Sequence, residues 1–202
     1  MKILQNLNSP IPIILASKSP RRAQLLQDIG VIFEVIHKSV DESFDIHLSP
    51  SDALKHIVEA KLSAFINESE NSLVICADTM VALENQIFGK PQNEEEAFQF
   101  IQTLSGKTHQ VFTGVGIQFK DYKKYFFEKT DVTFRNLEKE EINFYIQNYQ
   151  PFDKAGAYGI QEWIGHIGIE KINGSYTNVM GLPTQSLFIE LKNIMAHFSQ
   201  LK

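Results

Sequence analysis

Apolar residues run along this chain in two rhythms. Short unbroken stretches at 11–16 ("IPIILA"), 31–37 ("VIFEVIH") and 72–77 ("SLVICA") have the length and β-branched content of strands. Between them, apolar positions recur at helical spacing. Ser19 can cap and Pro20 suits the first position of a helix whose Leu25, Leu26 and Ile29 share a face before Gly30. A longer helix is predicted from Pro50 to about Asn67 behind Ser49. Another runs from Glu94 to Leu104 behind Asn93, with glutamates in the first turn, where the helix dipole favours them. The stretch 79–91 ("TMVALENQIFGKP") reads as a hairpin turning at Glu84-Asn85-Gln86, and 109–135 as two long strands with a turn near Asp121 to Lys124. A helix over about 138–148, a glycine-rich segment, a short strand pair around Asn173-Gly174-Ser175 and a C-terminal amphipathic helix complete the pattern. Strands and helices alternate without repeats or linkers. That predicts the α/β class and one domain over 1–202, with two lobes around a central cleft as its open variant.

Composition narrows the function. With 202 residues, 43% of them hydrophobic, the chain can bury a sizeable core. The start "MKILQNLNSP" has too short an apolar run for a signal peptide, and no later stretch reaches the length of a membrane span, so a cytoplasmic protein with no membrane partner is expected. The single cysteine, Cys76, excludes an internal disulfide framework and reads as a small core residue. A net charge of −5 offers no basic footprint for polymeric nucleic acid. A polyanionic ligand would have to be small and met by a local cation cluster.

Such a cluster stands where folding alone disfavours it. In "SKSPRRAQLL", Arg21 and Arg22 occupy the first turn of a helix, with Lys18 just before, although that end already carries about half a positive charge. The helix at 50–67 breaks its pattern too: Leu54, Ile57, Val58 and Phe65 form an apolar stripe with Lys61 in its middle. Either the lysine stem packs while its ammonium reaches water, or the ammonium faces an anion pocket. The apolar run "VICADT" ends in Asp78 and Thr79. In open α/β sheets ligands gather at strand carboxyl ends, so Asp78 suits metal binding or base chemistry, or else caps a neighbouring loop. Glu42 in "SVDES" and Lys90 in "FGKP" are loop charges. Together, Arg21, Arg22, Lys61 and Lys90 could surround a phosphate chain, while Asp78 and Glu42 supply oxygens to a hard divalent ion. The stretch "LSGKTH" is no P-loop, because Ile101 stands where that motif needs glycine, and His109 reads as structural or exposed.

The motifs "LASKSPRRAQLL", "DES", "EAK", "ADTMV", "GKP", "LSGKTHQVFTGV", "DVTFR", "DKAGAYGIQ" and "KINGSYTNVMGLPT" stand in an order and spacing that resemble the Maf family of nucleoside triphosphate pyrophosphatases. The resemblance spans about Ile13 to Leu191. It implies a mixed twisted sheet flanked by helices, related to the inosine triphosphate pyrophosphatases, and cleavage between the α and β phosphates. It also implies a divalent metal, magnesium or manganese, and is compatible with a homodimer. By motif, Asp78 corresponds to the catalytic base and Ser17, Ser19, Arg21 and Arg22 to the phosphate-side loop. Glu42, Lys61, Lys90 and Gln161 correspond to further cleft residues. Arg21, Thr79 and Gln161 look like the subgroup acting on dTTP and UTP, whereas the sibling acting on 7-methyl-GTP differs there. A glutamine amide can pair with the imide edge of uracil or thymine. Glu162 follows Gln161 where glycine is common, and Cys76 replaces a small glycine; both bear on base preference. The family has also been linked to inhibition of septum formation, so a nucleotide-sensing regulator without turnover is the rival reading.

Overall fold

The computed structural model describes residues 11–84 and 86–199, so the N-terminal segment and the centre of the hairpin turn, Asn85, lie outside the described residues. Among the described residues seven strands form one mixed sheet: β1 (Ile13–Leu15), β2 (Glu34–Val35), β3 (Leu73–Leu83), β4 (Gln86–Phe88), β5 (Thr108–Phe119), β6 (Tyr122–Phe134) and β7 (Ile169–Asn173). Their order is β2-β1-β3-β5-β6-β7, with β4 paired to the end of β3. β1 lies parallel to β2 and β3, and the other pairings are antiparallel. The helices are α1 (Pro20–Asp28), α2 (Pro50–Ser63), α3 (Ile66–Ser69), α4 (Glu94–Leu104), α5 (Lys139–Tyr149), α6 (Trp163–Gly168), α7 (Tyr176–Met180) and α8 (Thr184–Ser199), with a 3-10 turn at Ala155–Ala157. No helix among the described residues is long and apolar enough to cross a membrane.

The alternation of side chains along β3 sets up everything that follows. Leu73, Ile75 and Ala77 point to one face, where they meet Leu25 and Leu26 of α1 and Leu187 and Leu191 of α8. Val74 and Cys76 point to the other, against Val58 and Leu62 of α2. Continuing that period, Asp78 falls on the α2 side and Thr79 on the α1 side. A third apolar cluster packs α4 and α5 against the far halves of β5 and β6.

Several elements differ from the pattern in the sequence. The run at 31–37 yields only the two paired residues of β2. The helix predicted to Asn67 stops at Ser63 and restarts as α3. The long strands turn at Lys120-Asp121, where Lys120 takes a left-handed φ of 51°. At Asn173-Gly174-Ser175 there is no strand pair. β7 ends at Asn173, Gly174 turns with φ 135° over Thr130, and the Ser175 hydroxyl caps α7 by accepting from the Asn178 amide. Two signals overlap there, an Asn-Gly turn and a serine cap, and the cap prevails. Ser19 stands at the N-cap of α1 but its side chain makes no capping bond.

His109 is buried and structural. Its ring packs against Phe134 and Tyr158, and Nε2 lies 2.7 Å from the Tyr158 hydroxyl. Burial lowers its pKa from 6.5 to about 4. Above 6.5 both folded and unfolded chains are neutral here. As pH falls towards 4 only the unfolded chain takes a proton, so stability is lost through that window, by about 2 kcal/mol at roughly pH 4.5. Urea unfolding at about pH 7.5 and about pH 4.5 is expected to show that loss in the parent and a smaller one in His109→Gln. Equal losses in the two proteins would dismiss His109 as the source.

Candidate active site

Strand β3, the segment entering α1, the loop at 37–42 and the segment 153–161 enclose a cavity of about 430 Å³, within the range of small-molecule sites. Its wall carries seven lysines and arginines against three carboxylates, Glu42, Asp78 and Asp153. In a chain of net charge −5 this is a strong local concentration of cations. All ten sequence-predicted site residues, Ser17, Ser19, Arg21, Arg22, Glu42, Lys61, Asp78, Thr79, Lys90 and Gln161, line it.

Lys61 does not reach out to bulk water. From the α2 face its Nζ sits 2.6 Å from Asp78 Oδ1 and 2.8 Å from Glu42 Oε1, with both its own side chain and that of Asp78 only 13% exposed. The break in the apolar stripe and the acid ending the buried run are therefore two halves of one ion pair. Lys90 lies 3.9 Å from Glu42 Oε2, on the rim, and is more than half exposed.

Both arginines line the cavity and already make contacts within the protein. Arg22, on the α1 face, donates from Nε to the Gly181 carbonyl at 2.8 Å, from Nη1 to the Ala77 carbonyl at 2.8 Å and more weakly to Ser17 Oγ, and from Nη2 to Thr79 Oγ1 at 3.1 Å. Four of its five N–H groups are thus directed at protein acceptors, leaving one on Nη2. Burial lowers its pKa from the ordinary value, and nearby Asp78 opposes that. Thr79 is engaged as well. The Thr113 hydroxyl donates to the Asn178 carbonyl, so Thr79 must donate to Thr113 while accepting from Arg22. Its hydroxyl hydrogen is thereby committed to Thr113, and one oxygen lone pair is left to accept from a further donor. Arg21 ion-pairs through Nη1 with Asp153 Oδ2 at 2.6 Å. Ser17 is buried and its Oγ accepts from the Ser19 amide at 3.1 Å, which shapes the turn into α1. Since Pro20 has no N–H, the amides of Arg21 and Arg22 are the ones the first turn presents to an anion. The cations at this helix start are met mainly by carbonyls and a carboxylate from distant segments.

Gln161 borders the cleft with its Oε1 buried and without a hydrogen-bond partner. Glu162, beside it, is turned away: its carboxylate accepts from the Tyr145 hydroxyl and pairs with Lys154 at 3.1 Å, so it braces the segment without entering the cavity. Cys76 is fully buried against Val58, and burial pushes its thiol up to about 12.

Sequence reasoning missed Asp153 and Lys154. The signal was an Asp-Lys pair at the head of an otherwise small and apolar segment, "DKAGAYG". Burial raises the Asp153 carboxyl, but hydrogen bonds from Lys154 and Arg21 outweigh it and hold the group below its usual range.

Glu42 and Asp78 are hard oxygen donors that meet at the Lys61 ammonium, and no group of three or more His, Cys, Asp or Glu able to hold a metal gathers among the described residues. Two carboxylates do not make a protein-enclosed metal site. They would fit a magnesium-like ion only with the rest of its shell supplied by other oxygens, such as those of phosphate and water.

Comparison with known proteins supplies an independent line. The family model for "Maf-like protein" matches residues 12–194. A Bacteroides thetaiotaomicron protein named dTTP/UTP pyrophosphatase is 46% identical over 184 residues, covering 90% of this chain and 95% of its own. Proteins of the same name from Phocaeicola vulgatus and Bacillus cereus are 46% and 48% identical, over 95% and 89% of this chain and 100% and 94% of theirs. Among solved structures, the Staphylococcus aureus Ham1 protein aligns with a TM-score of 0.46 at 15% identity, over 95% of this chain and 100% of that one.

Proposed function

The chain belongs to the Maf-like protein family, and from that premise we propose that its cleft hydrolyses dTTP and UTP to the nucleoside monophosphate and pyrophosphate. The observation that carries the reading is the pairing of Asp78 with Lys61 in the wall of a cation-lined cavity of triphosphate size. A carboxylate in so cationic a wall has a task that binding an anion alone does not require.

The chemistry follows from the positions. Lys61 holds Asp78 through Oδ1 and leaves Oδ2 to accept a proton from water. That water attacks the α phosphorus, the bond between α phosphorus and bridging oxygen breaks, and pyrophosphate leaves with the electron pair. Lys90 on the rim, Lys61 and Arg21 neutralise charge on the phosphoryl oxygens and on the departing pyrophosphate. Arg22 serves chiefly by fixing Ser17 and Thr79 and by tying the middle of β3 to the end of α7, with one N–H left for the substrate. Glu42 and Asp78 would hold a divalent metal together with the triphosphate, and that ion supplies charge neutralisation. Gln161 Oε1, an acceptor without a donor, matches the imide N–H of uracil and thymine.

The test is pyrophosphate release from dTTP, UTP, CTP and 7-methyl-GTP under matched magnesium. Turnover is expected with dTTP and UTP above the other two. Tight nucleotide binding without pyrophosphate release would replace the enzyme by a sensor, and preference for 7-methyl-GTP would reassign the base pocket.

A further inference from the structure

A lysine that the proposed chemistry does not use is buried in the cleft wall. The Lys154 side chain is 9% exposed, with Nζ 2.7 Å from Asp153 Oδ1 and 3.1 Å from Glu162 Oε1. A buried ammonium is tolerated where carboxylates and hydrogen bonds surround it, as they do here. The contacts do not stop at this pair. Asp153 gives its second oxygen to Arg21, and the second oxygen of Glu162 accepts from the Tyr145 hydroxyl, which in turn accepts from the Gly159 amide at 3.0 Å. One continuous ladder of charge and hydrogen bonds thus joins the start of α1 to the segment that carries Gln161. Its members come from three separate parts of the chain, so it fixes the spacing between parts that the sheet alone does not join.

We propose that Asp153 is a positioning residue for base selection: bridging Arg21 to Lys154, it sets where the Gln161 amide stands and hence which nucleobase edge can satisfy it. The proposal rests on the reading of the cleft as a nucleoside triphosphate site. Gln161 Oε1 discriminates only if it is held still, because an amide free to rotate can offer its NH₂ group instead and accept the edge of cytosine as readily as that of uracil. Asp153 is the one member of the ladder that touches both Arg21 and Lys154, so loss of its charge loosens the ladder where its two halves meet.

The experiment compares kcat and KM for UTP and CTP, which share a sugar and a phosphate chain and differ in the base edge. Asp153→Asn is expected to keep kcat for UTP within about threefold while the UTP-to-CTP ratio of kcat/KM falls about tenfold or more, the scale of lost hydrogen-bond discrimination. Asp153→Glu, which restores the charge, is expected to recover part of the ratio. Glu162→Gln cuts the ladder at its other carboxylate and is expected to lower the same ratio. A merely structural role would scale both substrates equally and leave the ratio unmoved in either variant; that result overturns the proposal. An unmoved ratio in Glu162→Gln overturns it as well should Asp153→Asn fail to fold. Absence of turnover in the parent would overturn the cleft reading and this proposal together, whereas an active parent with unmoved ratios would sink this proposal alone.

Discussion

Asp78→Asn is expected to bind dTTP within a few-fold of the parent and to turn it over about a hundredfold more slowly or worse, the usual cost of losing a positioned general base. The substitution keeps the shape of the side chain and an oxygen within reach of Lys61, now 2.6 Å from Oδ1. Glu42 remains as the partner that keeps the ammonium from being stranded, at 2.8 Å. Binding is therefore spared, because the cations that line the cavity are untouched. Chemistry is not, since a neutral amide accepts no proton from the attacking water. Single-turnover kinetics with calorimetric binding of a non-hydrolysable dTTP analogue separates the two effects. Unchanged turnover would remove Asp78 from the reaction.

The second large effect is on stability. Arg22→Met keeps the stem but removes donors from two carbonyls and a hydroxyl, those of Gly181, Ala77 and Thr79. Hydrogen bonds from a charged group contribute about 1.5–3 kcal/mol each, and acceptors left dry cost more, so a loss of about 3–5 kcal/mol is expected. For a domain of this length that lowers Tm by about 10 °C or more. Arg22→Lys is not expected to rescue it, because one ammonium cannot spread donors over three acceptors in a planar fork. A thermal melt of the three proteins decides the matter. An Arg22→Met protein melting within about 3 °C of the parent, the shift expected from roughly 1 kcal/mol, would show that the guanidinium serves the ligand and not the fold.

This distinction explains what could be read from the sequence and what could not. Lys61 and Asp78 were legible because each breaks a periodicity: a charge in an apolar helical stripe, and an acid ending a buried run. The structure joins the two breaks at 2.6 Å. The fate of Arg22 was not legible, since it is bonded largely to main-chain carbonyls, which every residue possesses and which leave no mark in the sequence. Asp153 stayed hidden for another reason. Its partner Arg21 lies 132 positions away, and its neighbour Lys154 makes an Asp-Lys pair that resembles any solvated surface dipeptide. In the fold, the long elements matched their patterns, with Glu94–Leu104 behind Asn93 found where caps and stripe put it. The run at 31–37 and the segment around Ser175 did not. At Ser175 a turn signal and a cap signal compete for the same residues, and packing of Thr130 and Asn178 across the sheet decides the outcome.

The parts of the site also rank by how they act. In the proposed reaction Asp78, Lys61 and Glu42, joined by ion pairs, would form the reacting corner. Lys90 and Arg21 would offer charge to the phosphates, and Arg22 with Thr79 and Thr113 holds the floor in place through a directed relay of hydroxyls. Gln161 awaits a donor. A triphosphate would bring negative charge to the first two groups and, with a uracil or thymine base, an N–H to the last.

The measurement that tests this assignment most directly is phosphorus NMR of dTTP hydrolysed by the protein in ¹⁸O-labelled water. Attack on the α phosphorus by water activated at Asp78 predicts labelled dTMP and unlabelled pyrophosphate. Release of orthophosphate with dTDP, or label appearing in the pyrophosphate, would contradict it.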